Sequence, residues 1–147
     1  MQVDIHNSQT SYPIDSERLR RIVEASIAFE GQRCDEVSLN YVDKEEIGVL
    51  HAEHFDDPSP TDCISFPMDD ADEEEYRVLG EVFVCPAVAA EYVAEHGGVV
   101  DQEVILYTIH GLLHLMGYDD IETDDRMEMR AAEERHMTHL KGLGLCA

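Results

Sequence analysis

A chain of 147 residues with 44% hydrophobic content, 33 Asp and Glu against ten Lys and Arg, and a net charge of −23 is sized for one globular domain. That charge disfavours broad adhesion to phosphate backbones, so any nucleic-acid role has to be local, and DNA is not an expected partner. No apolar run approaches the ~18–20 residues of a membrane span, and MQVDIHNSQT lacks the basic and apolar parts of an export signal, so the expectation is a soluble, cytoplasmic, single domain over residues 1–147.

QVDIHN alternates as a half-exposed strand, and Pro13 breaks the chain before a helix that Asp15 can cap. Leu19, Ile22, Val23, Ser26 and Ile27 form one buried stripe on that helix, and Gly31 closes it. EVSLNYV predicts a second strand, followed by a short helix over about residues 43–55 and a DDPSPTD loop. CISF and LGEVFV read as two further strands. Between them six of the seven residues from Asp69 to Glu75 are acidic, the mark of a solvated loop. Pro86 suits the first turn of a helix through Val93, with Gly97-Gly98 ending it. Two more helices are predicted, over about 101–116 and 122–143. About four short strands with helices packed on them indicate an α+β fold with a small mixed sheet. Cys34, Cys63, Cys85 and Cys146 form no CxxC and read as reduced thiols.

Within the penultimate helix lies HGLLHLMGYDD, residues 110–120. Its apolar residues cover nearly every face, so the helix is surrounded by protein, where an unpaired imidazole is costly to bury. His110 and His114 are one turn apart, with Cβ atoms roughly 5–6 Å from each other. That spacing suits one Zn²⁺ held at about 2.0–2.1 Å from each ring nitrogen. Gly117 stands where a left-handed residue ends a helix, turning the chain so that Asp119 or Asp120 can supply a third ligand.

The same stretch resembles the signature HGxLHLxGYDH of the YbeY family of metal-dependent endoribonucleases, compatible at ten of eleven positions. PTDCISFP at 60–67 resembles that family's PTDVLSFP, and LGEVFVCPAVAAEYV resembles its LGDI strand and following helix. The resemblance implies a zincin-like arrangement with the HxxxH helix at its centre and one Zn²⁺ held by His110, His114 and Asp120. It further implies cleavage of single-stranded RNA in 16S rRNA 3′-end maturation and ribosome quality control, with the small ribosomal subunit as partner.

Two departures from the pattern stand out. Asp120 replaces a histidine, which keeps a sound ligand set but lowers the site's charge by one and makes Mn²⁺ or another hard ion more acceptable. By an ungapped reading, Phe55 occupies the place of a family arginine, and the nearest basic residues, Lys44 and Arg77, are not motif matches. Gly111 stands where HExxH proteases carry a general-base glutamate, which argues against peptide hydrolysis. Three functions compete: a metal-dependent endoribonuclease, a ribosome-associated binding factor with a structural metal, and a metalloprotease-like hydrolase. Asp119 reads as a ligand-orienting or turn residue, Tyr118 as a packing residue, and Thr61 and Asp62 as a turn cap at the cleft edge. His51, His54 and His139 lack a third ligand, and His136 shares a core or interface stripe with Met129, Ala132, Leu140 and Leu143.

Overall fold

The computed structural model describes residues 1–57, 59–68 and 76–146. The acidic run from 69 to 75 lies outside them. Its strands are β1 (Gln2–Asn7), β2 (Glu36–Tyr41), β3 (Cys63–Pro67) and β4 (Val78–Val84), joined in one sheet in the order β1-β2-β4-β3. β1 runs parallel to β2 and β2 parallel to β4, whereas β3 returns antiparallel along β4, with Ile64 opposite Phe83. The sheet is therefore mixed, as the sequence indicates.

The helices are α1 (Ser16–Phe29), α2 (Lys44–Phe55), α3 (Pro86–His96), α4 (Val100–Leu115) and α5 (Thr123–Gly142). Local chemistry sets several ends. The Asp15 carboxylate accepts the Arg18 amide at 3.2 Å, and the Asp43 carboxylate accepts that of Glu46 at 2.8 Å, each satisfying an amide left without a partner in a first turn. Pro86 opens α3, which continues to His96 because nothing before Gly97 interrupts it. The buried residues of α1 are the five of the predicted stripe.

The core lies between the central strands and α4. Val37, Leu39, Tyr41, Leu79, Val82 and Val84 are fully buried from the sheet, against Ile105, Ile109, Leu112 and Leu113 of the helix. At roughly 1.5–3 kcal/mol per large buried apolar side chain, this contact holds α4 firmly in place. One polar pair crosses it: the Tyr41 and Thr108 hydroxyls are 2.9 Å apart, and Thr108 donates onward to the Val104 carbonyl. Tyr41 is thus the donor to Thr108, and both buried hydroxyls are satisfied. Among the described residues no helix is long and apolar enough to cross a membrane, and all four cysteines are free.

Candidate metal centre

The site is built on the last turn and a half of α4. Gly111 sits where the helix presses closest to the sheet: a Cβ there would stand 2.4 Å from Val82 Cγ1 and 3.3 Å from Ser65 Oγ. Ser65 donates to the Gly111 carbonyl at 3.1 Å and pins the helix to β3. The residue after His110 therefore has no room for a side chain, and a glutamate base cannot occupy that position. With Gly111 against the sheet, His110 and His114 share a different, half-buried face, about a quarter exposed.

The turn after α4 carries the third donor. Gly117 adopts φ 105°, its amide bonds the His114 carbonyl at 3.1 Å, and the Tyr118 amide bonds the Leu113 carbonyl at 3.0 Å. This double closure is a Schellman motif, and it reverses the chain over the histidines. Asp120, not Asp119, reaches them: Asp120 Oδ2 lies 3.4 Å from His110 Nε2 and 3.4 Å from His114 Nε2, while Asp119 accepts the Asp120 amide at 2.8 Å and holds the turn.

The two Nε2 atoms are only 3.0 Å apart. Their opposite nitrogens explain why this is informative. His114 Nδ1 is 3.0 Å from the Tyr118 carbonyl, which can only accept, so that ring donates from Nδ1 and leaves Nε2 bare when neutral. His110 Nδ1 is 3.5 Å from the carboxylate of the largely buried Glu133, with the same consequence. When both rings are neutral, two lone pairs and a carboxylate oxygen thus face one another. A shared cation relieves the repulsion, and the fit is good: donors about 2.05 Å from a tetrahedral ion stand roughly 3.3–3.4 Å from each other. His110, His114 and Asp120 form the three-residue cluster able to hold a divalent metal among the described residues. Burial opposes a charged His110, yet Glu133, Asp62 and Asp120 outweigh it and raise its pKa, so the corner is built for positive charge.

Several partners escaped sequence reasoning. Glu133 lies in the charged AAEERH run, but Met129, Ala132 and His136 are buried beside it at helical spacing, which was the available signal. Buried His136 bonds Glu30 at 2.7 Å, and Glu30 also accepts the Tyr118 hydroxyl at 3.1 Å, so His136 is a core residue that braces the ligand turn. Leu143, placed on the same stripe, is exposed instead. Tyr118 packs, as expected. Asp62 accepts the Cys63 amide at 2.7 Å and also lines the cleft, so it is both cap and wall.

A cavity of about 490 Å³ opens on the cluster, walled by His51, Phe55, Asp62, Cys63 and Ile121. Burial pushes the Cys63 thiol well above its usual pKa, which keeps it out of the ligand set. A second cavity of about 310 Å³ on the other side of His110 is bordered by Tyr92, Glu103, Tyr107, Arg126 and Arg130. Burial raises the Glu103 carboxyl there. Lys44 pairs with Glu91, and Arg77 donates to the Arg33 carbonyl at 2.8 Å. Neither of these cations lines the two cavities; the arginines that border the site come from α5.

Known proteins resemble this chain over nearly its whole length. The family model described as Endoribonuclease YbeY matches residues 4–141. The chain is 48% identical over 143 residues to a protein named Endoribonuclease YbeY from Protochlamydia amoebophila, covering 97% of this chain and 95% of that protein. It is 37% identical to the protein of that name from Thermobifida fusca, over 88% of this chain and 87% of the relative. A solution structure of a Thermotoga maritima protein superposes with a TM-score of 0.62 at 23% identity, covering 98% and 95% of the two chains, a likeness of fold.

Proposed function

Since the chain belongs to the endoribonuclease YbeY family, we propose that it is a metal-dependent endoribonuclease that cuts single-stranded RNA, acting in the cytoplasm on 16S rRNA 3′ ends and in quality control of the small ribosomal subunit. The observation that carries the chemistry is the meeting of three bare acceptors, His110 Nε2, His114 Nε2 and Asp120 Oδ2, at 3.0–3.4 Å. These residues hold one Zn²⁺, with Mn²⁺ the alternative that the anionic Asp120 favours. A bound divalent ion at such a site lowers the pKa of water and neutralises charge on a phosphate oxygen.

The chain's own residues do the rest. The Tyr118 carbonyl and the Glu133 carboxylate fix both imidazoles with Nε2 turned into the cleft. Asp119 and Gly117 set the turn that delivers Asp120. Because Gly111 abuts Val82, the helix offers no glutamate for peptide hydrolysis, which favours the nuclease over the protease reading.

The test is cleavage of single-stranded RNA by the purified chain, with His114→Ala as control and casein as an alternative substrate. Wild type cuts the RNA and spares casein, and H114A falls to background; equal cleavage by H114A overturns the reading. Metal analysis after purification without added ions should find one divalent ion per chain, lost in Asp120→Ala. Unchanged metal content in that variant removes Asp120 from the ligand set.

A further inference from the structure

The 490 Å³ cavity that opens on the metal cluster is lined by the carboxylates of Asp62, Asp119 and Asp120 and, beside them, by the aromatic ring of Phe55 and the imidazole of His51. Phe55, at the last position of α2, is 57% exposed, and Ile121, which also lines the cavity, is 72% exposed. His51, one turn before Phe55, lies with its ring centroid 5.4 Å from the phenyl. Its Nδ1 donates to the Ser59 carbonyl at 2.9 Å, which fixes the imidazole's orientation. The helix then stops abruptly at Asp56, in the left-handed region at φ 55°, leaving the phenyl at the cleft mouth.

The geometry points to a stacking subsite for an unpaired nucleobase, formed by Phe55 and His51, next to the nucleotide whose phosphate reaches the His110–His114–Asp120 corner. This rests on the proposed nuclease reading and names what that site grips. Net charge of −23 excludes a broad phosphate-binding groove. Among the described residues, the cations at these cavities are Arg126 and Arg130, both on the 310 Å³ one, and Arg126 is already bonded to the Ile121 carbonyl at 2.8 Å. Adhesion must therefore come from the faces of the bases, which an aromatic ring accepts whatever the sequence. A base inside a duplex has both faces covered by its neighbours, so a stacking grip also selects single strands.

The test uses equilibrium binding, separate from cleavage. A short single-stranded 2′-O-methyl oligonucleotide, which lacks the ribose hydroxyl, carries 2-aminopurine and is titrated with the full-length, zinc-loaded chain. Binding should change the 2-aminopurine emission, and Phe55→Ala should weaken it roughly five- to hundredfold, the range for loss of one base–aromatic stack. Phe55→Trp should restore it, and Val49→Ala, exposed on the same helix but outside the cavity, should leave it unchanged. An oligonucleotide abasic at the stacked position should bind wild type and F55A alike. The salt slope of log K should be no steeper than about −1.4, the value for two neutralised phosphates on a single strand. Equal affinity of wild type and F55A, undiminished binding of the abasic strand, or equal binding of a duplex overturns the subsite. If binding depends on Phe55 but RNA is not cut, the subsite stands and the nuclease reading falls. If RNA is cut and F55A binds as tightly as wild type, the reverse holds.

Discussion

Which nitrogen of His110 is free depends on a carboxylate one helix away. Glu133 sits 3.5 Å from Nδ1 with its side chain 13% exposed, and a carboxylate so placed both holds the ring and strengthens it as a ligand. Glu133→Gln keeps the shape and removes the charge. It should weaken metal affinity by about 10–100-fold, measured by competition with a chromogenic chelator, while leaving Tm nearly unchanged. Unaltered affinity would reduce Glu133 to a packing residue. At this scale the sequence was half legible. His110 and His114 follow from spacing on an apolar helix, but no local pattern chose Asp120 over Asp119. The choice is made by the turn geometry, in which one carboxylate caps the backbone and so releases its neighbour.

Among the elements, α4 is the one whose placement decides the chemistry, and two contacts with the sheet define it. Gly111 against Val82 sets the distance. Gly111→Ala forces a methyl to within 2.4 Å of a buried valine and should cost about 1–3 kcal/mol by overpacking, read as a lower midpoint in urea. The Tyr41–Thr108 pair sets the register. Thr108→Val keeps the volume but strands the Tyr41 hydroxyl in the core, at a cost of about 1–3 kcal/mol, and Tyr41→Phe added to it should recover part of that loss. A double variant no more stable than T108V alone would count against the pair. Strand and helix limits came readily from the sequence because alternation, caps and glycines act locally: Asp15, Pro86 and Gly117 stand where the structure uses them. The links Glu30 to His136 and Glu133 to His110 did not, since they join elements that only the tertiary fold brings together, the first across 106 residues. The acidic run from 69 to 75 falls outside the described residues.

For the molecule as a whole, excess negative charge makes each internal cation count. Arg18 on α1 grips Asp101 at the start of α4 with two nitrogens, one at 3.0 Å, and the Tyr12 hydroxyl donates to the same carboxylate. The Arg18 hydrogen bonds hold the Asp101 carboxyl below its usual pKa despite partial burial. A depressed folded pKa means the stabilisation is fully present above the unfolded value, near pH 4, and is lost as pH falls through the folded one. Asp101→Asn should therefore cost about 1 kcal/mol at neutral pH and flatten the decline of Tm in acid. An acid limb as steep as wild type would show that other carboxylates govern it. Burial pushes the Tyr12 hydroxyl up to about 12, so this tie stays protonated throughout the neutral range.

The Glu30 carboxylate, shared between His136 and the Tyr118 hydroxyl, makes the first helix and the last one joint custodians of a turn that belongs to neither. A ribosome delivers these parts far apart in time, His136 emerging 106 residues after Glu30 and later than both metal-facing imidazoles. A chain that already carries both imidazoles still lacks the clamp on the turn that brings Asp120 over them, so the three-donor corner is complete only once the last helix has docked.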